Sequence, residues 1–261
     1  MTDLIERHDR DGVTRLVLNS PYNFNALSTA MIKALRDALG AIATDDSVRC
    51  VILSGAGKAF CAGHDLRQMQ AARAAGDGGR AEFAALFADC AAMMQQIPAL
   101  PQPVIAQVHG IATAAGCQLA ASCDMITAAH GTRFGVNGVN IGLFCSTPMV
   151  ALTRAIPAKL AFEMLTTGDF IDADRAHQAG LVNHVFAAES LAAQTGSLAR
   201  KLADKLPAAI RMGKAAFYDQ LRRGLPDAYD SAGAVMCENV MLPDTDEGIA
   251  AFLEKRKPDW K

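Results

Sequence analysis

Short apolar runs broken by glycine turns fill the first part of the chain, and helical spacing of apolar positions takes over in the second. Ile5 to His8 and Val13 to Leu18 read as two strands joined by the turn Asp9-Arg10-Asp11-Gly12, a hairpin signal. Ser28 stands where it can cap a helix from Thr29 to about Ala43, with Met31, Leu35 and Leu39 four apart on one face. Cys50 to Ser54 is a buried-strand pattern that runs into a loop marked by Gly55, Gly57 and Gly63. Residues 70–80 (QAARAAGDGGR) read as a mobile surface loop. A helix from about Arg80 to Ile97 follows, stopped by Pro98, Pro101 and Pro103. Val104 to Val108 is a further strand, passing through His109-Gly110 into an Ala/Gly helix from about Ala114 to Ser122, and Met125 to Ala129 is a strand again. This alternation predicts an α/β architecture with parallel pairing. Helices are expected near 158–165, 173–179, 190–206, 207–222 and 246–255.

Composition narrows the function classes. A chain of 261 residues, half of them hydrophobic, forms one large domain or a core with a small appendage. The formal net charge of −2 implies no broad phosphate-binding surface, which argues against nucleic acid as the main partner. The seven cysteines are odd in number and contain no C-x-x-C pair, so they read as reduced thiols rather than a disulfide framework. The N-terminus MTDLIERHDRDG lacks the apolar core of a signal, and no apolar run is long enough to span a bilayer. A cytoplasmic protein without a membrane partner is the expectation.

Two loops carry candidate chemistry. Phe60-Cys61-Ala62-Gly63-His64-Asp65-Leu66 leaves a strand through small residues, which lets a ligand approach backbone N–H groups. The segment from His109 to Gln118 leaves a strand and opens a helix, whose first turn offers unpaired N–H donors and the positive end of its dipole. Facing each other, two such loops would supply a pair of donors for a developing oxyanion. No His/Cys/Asp/Glu set has metal-ligand spacing, since Cys61-x-x-His64 has no partner pair.

These segments, with Asn25-Ala26-Leu27, FGVNGVNIGLF (134–144), TGDFIDADRAHQAGLVNHV (167–185) and the closing AFLEKRKPDW (251–260), resemble the crotonase (enoyl-CoA hydratase/isomerase) superfamily over essentially the whole chain. ATAAGCQLAASCD and GVNIGLFCSTP share the look of its enoyl-CoA hydratase domain-containing protein 3 type. The resemblance implies an α/β crotonase (ClpP/crotonase-like) spiral of ββα units over residues 1 to about 195. It also implies a helical segment over 196–261 that packs on neighbouring subunits, in a homotrimer or a dimer of trimers. Its implied substrate is an acyl-CoA thioester, with coenzyme A part of the substrate and no separate cofactor. The oxyanion-hole N–H groups would be those of His64 and Ala115. Asn25, Ala26, Leu27, Ala62, His64, Asp65, Leu66 and Arg67 would border the substrate and its CoA portion. Lys255, Arg256 or Lys257 would reach a CoA phosphate, on a neighbouring subunit in some relatives.

The same resemblance marks two departures. Hydratases of the family carry glutamates where this chain has Gln118 and Gly138. Hydration of a conjugated thioester needs a base for water and an acid for the α-carbon, and neither an amide nor a glycine titrates. Several readings stay open. The loop Ala62-Gly63-His64-Asp65 also resembles that of methylmalonyl-CoA decarboxylases, although Cys145 stands where their tyrosine is expected. The His64 side chain either takes part in chemistry or faces solvent or the CoA nucleotide. Cys61, Cys117 and Cys145 are either thioesterase-like nucleophiles or small core hydrophobes. Asn140 either holds a water or substrate carboxylate or stabilises its loop. A catalytically silent acyl-CoA-binding protein is the reading from outside the enzymes.

Overall fold

The computed structural model describes residues 3–260; Met1, Thr2 and Lys261, at the ends of the two expected segments, lie outside the described residues. The strands are β1 (Ile5–Arg10), β2 (Val13–Leu18), β3 (Cys50–Gly55), β4 (Val104–Val108), β5 (Ile111–Thr113), β6 (Met125–Ala129), β7 (Arg133–Gly135), β8 (Ile171–Asp172) and β9 (His184–Phe186). A six-stranded sheet runs β1-β2-β3-β4-β6-β9, and a three-stranded sheet runs β5-β7-β8. The β1–β2 and β7–β8 pairs are antiparallel and the others parallel. The hairpin turns at Asp11 and Gly12, both at positive φ, so the first strand reaches Arg10.

The helices are α1 (Thr29–Ala43), α2 (Leu66–Ala72), α3 (Arg80–Ala99), α4 (Ala115–Ser122), α5 (Pro148–Ala155), α6 (Ala158–Thr167), α7 (Ala173–Gln178), α8 (Leu191–Ala203), α9 (Pro207–Gln220), α10 (Leu225–Val240) and α11 (Pro243–Leu253). Ser28 caps α1 by accepting from the Met31 N–H at 3.2 Å, and Met31, Ile32, Leu35, Leu39 and Ile42 bury its inner face. β3 and β4 are covered on both faces, which is why they read as continuous apolar runs rather than alternating ones.

The structure corrects the sequence reading at several points. Asp65 accepts from the Arg67 and Gln68 N–H groups, so the start of the expected 70–80 loop belongs to α2. Pro98 does not stop α3, which ends at Ala99; in a last turn a proline forfeits only one intrahelical bond. β5, β7, β8, β9, α5 and α10 have no counterpart in the sequence reading. The expected segment boundary near residue 195 falls inside α8, which packs on the large sheet. There Ala199 joins Cys50, Ile52 and Ile105, and the buried Thr195 hydroxyl meets that of Thr127 at 2.7 Å. The helices that stand outside the core are α9 to α11, where Ala251 is the one fully buried residue among those described.

Candidate active site

Asn25 fixes the first loop. It is fully buried; its side chain accepts from the Ser20 N–H at 2.9 Å and donates to the carbonyls of Ala56, Ala59 and Phe60. Its hydrogen-bonding capacity is spent on the loop, so it shapes the site rather than touching a ligand. Leu27, also fully buried, donates its N–H to the Gly63 carbonyl at 2.7 Å, and Ala62 donates to the Phe24 carbonyl. The buried Ala26 sits between them. The second loop joins the first through the Cys61–Ala112 bridge and the bond from Thr113 N–H to the Cys61 carbonyl. A side chain at Gly116 would collide with the Cys61 carbonyl, so only glycine lets α4 seat against that loop.

The two loops meet at Gly63. At its φ of +89°, a Cβ added there would lie 2.9 Å from Ala114 Cβ and 3.3 Å from the Ala115 nitrogen. Ala114 is itself held at φ +49° and ψ −121°, a conformation alanine rarely adopts, and its N–H is tied to the Gly135 carbonyl at 2.9 Å. This strain turns the chain so that α4 starts beside Gly63. Among the described residues the His64 and Ala115 N–H groups have no hydrogen-bond acceptor. Gln118, one turn into α4, is only 5% exposed, and its Oε1 is buried without a partner.

His64 does not face solvent. One ring nitrogen, Nδ1, lies 3.3 Å from the Leu27 carbonyl; the other, Nε2, is buried and unpartnered; the Phe87 ring of α3 stands edge-on at 5.5 Å. Burial lowers the imidazole pKa below its usual 6.5, with the Leu27 carbonyl opposing. In the unfolded chain the ring protonates first as pH falls, so the stability that depends on a neutral His64 is fully present above about 6.5 and drains away below it. Urea unfolding at pH 7.5 and 5.5 should show a loss that a His64→Asn variant lacks, with a slope of no more than about 1.4 kcal/mol per pH unit. Equal pH dependence in both proteins would refute it.

The remaining expected residues spread out. Leu66 and Arg67 are exposed at the start of α2, whose N-cap is Asp65. Gly138 is buried in a 3-10 turn, where any side chain would collide with the Leu143 carbonyl and crowd Cys145 Sγ at 2.9 Å. Asn140 donates weakly to the Gly168 carbonyl at 3.4 Å, tying that turn to the end of α6. Burial pushes up the Cys145 thiol and takes those of Cys61 and Cys117 to about 12, which opposes thiolate chemistry at neutral pH. Lys255 lies just beyond α11 at φ +58°, on the C-terminal helices rather than beside His64 or Ala115.

Other features escaped sequence reasoning. A cavity of about 300 Å³ opens between α2 and α3, lined by Thr29, Gln68, Met69, Ala72, Phe83 and Leu86 among others. Phe87 gave no signal because nothing local tells which α3 side chain meets His64. Lys214 and Tyr218, four apart on α9, both bond to Asp124, a partner some ninety positions away in sequence. Among the described residues no group of three or more His, Cys, Asp or Glu could hold a metal ion, and no helix is long and apolar enough to cross a membrane.

Comparison with known proteins gives one consistent picture. The family model described as Enoyl-CoA hydratase/isomerase matches residues 8–261. The mouse protein named enoyl-CoA hydratase domain-containing protein 3, mitochondrial, is 43% identical, over 98% of this chain and 84% of its own length. The 2,3-dehydroadipyl-CoA hydratase of Escherichia coli (strain K12) is 32% identical over 99% of this chain and 98% of its own. Among solved structures, an enoyl-CoA hydratase of Mycobacterium smegmatis superposes with a TM-score of 0.94 at 51% identity, covering 98% of both chains. Human enoyl Coenzyme A hydratase domain-containing protein 3 gives 0.94 at 42% identity, covering 98% of this chain and all of that one. Five vertebrate relatives, from mouse, Xenopus laevis, rat, Danio rerio and human, are named mitochondrial, which overturns the cytoplasmic expectation. That expectation leaned on reduced thiols, and these do not separate one reducing compartment from another.

Proposed function

The chain belongs to the enoyl-CoA hydratase/isomerase family, and on that premise we propose that it binds an acyl-CoA thioester and stabilises its enolate between the N–H groups of His64 and Ala115. The observation that carries this reading is the meeting of two acceptor-free amides at Gly63, one of them at the start of α4. An enolate oxygen placed there accepts both hydrogen bonds and gains from the helix dipole, most strongly where water is excluded. Ala26, Ala62, Leu66 and Arg67 then border the CoA portion, and the cavity between α2 and α3 receives the acyl chain.

Family membership does not carry hydratase activity with it. Gln118 and Gly138 stand where titrating carboxylates would be needed, and the 138–145 turn leaves no room for a side chain at Gly138. Purified protein should bind crotonyl-CoA yet hydrate it at least 10²-fold more slowly than the median enzyme rate of about 10 s⁻¹. The loss of enoyl-thioester absorbance measures this, and a rate near that median would sink the reading of both positions.

The same proposal includes self-assembly. Tyr229, Met236, Val240, Met241, Phe252 and Leu253 leave an apolar face on α10 and α11 that their own chain does not cover. A second and third copy of the chain would bury it, and Lys255 would then reach a neighbour's CoA phosphate.

A further inference from the structure

Among the described residues three buried side-chain nitrogen or oxygen atoms lack a hydrogen-bond partner, and two of them, His64 Nε2 and Gln118 Oε1, belong to the two loops of the site. Leaving such an atom unpaired costs roughly 1–3 kcal/mol, so each calls for a physical reason. For His64 the bonding fixes the chemistry. The Leu27 carbonyl can only accept, so the ring nitrogen 3.3 Å away carries the hydrogen and Nε2 is left as a bare lone pair. The Phe87 edge holds the ring in that orientation.

The other titratable groups of the two loops are engaged elsewhere or buried: the His109 ring has its Nε2 on the Gly57 carbonyl at 2.9 Å. The Asp65 carboxylate is committed to the N-cap of α2 and to Asn23. The Cys61 and Cys117 thiols are buried, the Gln118 amide does not titrate, and position 138 has no side chain. Resting on the enolate reading above, we propose that His64 is the proton acceptor of this site, taking the α-hydrogen of an acyl-CoA with an uncharged acyl group on Nε2 while its own backbone N–H holds the thioester oxygen.

The step balances within the site. The α-carbon–hydrogen bond breaks, its electron pair forms the enolate double bond, and the carbonyl π pair moves to the oxygen between the two N–H groups. The proton forms an imidazolium whose Nδ1–H stays on the Leu27 carbonyl, and the reverse transfer restores the thioester. A malonyl-type acyl group fits poorly, because a neutral ring that presents a lone pair offers its carboxylate no donor.

Incubating the full-length protein with butyryl-CoA in deuterated water, and following α-deuterium by mass spectrometry, tests this. The wild type should exchange the α-hydrogens. A His64→Asn variant keeps an amide N–H near the position of Nδ1, so it should fold and bind butyryl-CoA but exchange about 10²- to 10⁴-fold more slowly. If that variant does not fold, His64→Gln, which places an untitratable amide near Nε2, should show the same loss. Exchange at the wild-type rate in a folded variant overturns the proposal, as does a wild type that binds butyryl-CoA without exchanging. Failure of the wild type to bind any acyl-CoA would instead overturn the enolate reading itself.

Discussion

Replacing Ala115 by proline should cut α-hydrogen exchange, or any other turnover of a CoA thioester, by about 10²- to 10³-fold while leaving the fold in place. Ala115 is the first residue of α4, where proline's fixed φ suits the helix and no intrahelical bond is lost. What disappears is one of the two N–H groups assigned to the enolate oxygen, and the proline ring occupies part of the space the oxygen needs. Thermal unfolding and butyryl-CoA binding separate a lost donor from a damaged loop. A folded variant with less than tenfold loss would remove the oxyanion role from this amide. If His64→Asn were silent while Ala115→Pro was not, the oxyanion pair would stand and the base would have to be sought elsewhere.

The largest expected effect on stability lies away from the site. Lys214 and Asp124, with side chains 7% and 13% exposed, form a buried ion pair at 2.7 Å. Lys214 Nζ also donates to the Ile97 and Gln102 carbonyls, while Asp124 accepts from Tyr218 Oη at 2.7 Å and from the Val104 N–H at 2.6 Å. Burial lowers the Lys214 pKa and Asp124 pulls it back up, so the ammonium form depends on that one carboxylate. Lys214→Met keeps the stem but strands a buried carboxylate and two carbonyls. Breaking one side of such a pair costs about 3–5 kcal/mol. For a chain of this size that is a fall in Tm on the order of 10 °C. A fall equivalent to less than about 1 kcal/mol would mean that water reaches Asp124 and replaces the lysine.

The network also shows why α9 sits where it does. Its inner face has no fully buried residue, so little apolar area fixes its place. Three hydrogen bonds from one ammonium anchor it instead to the end of α3, the turn before β4 and the residue that precedes β6. Asp124 lies just beyond α4, and no local pattern points to the lysine and tyrosine some ninety positions on that share its carboxylate.

Much of the architecture was determined by sequence alone, because it rests on local chemistry. The Ser28 cap and the apolar runs of β3, β4 and β6 each act through their own backbone or nearest neighbours, and their order along the chain carries the family pattern. The candidate loops were legible for the same reason. The tertiary structure decided everything that depends on which side chain meets which. It turned His64 inward onto the Leu27 carbonyl and Phe87, spent the Asn25 amide on the loop, and raised the thiols by burial. It also closed the turn over Gly138 against any side chain. Burial and long-range partners set protonation and free valence, and a linear pattern carries neither.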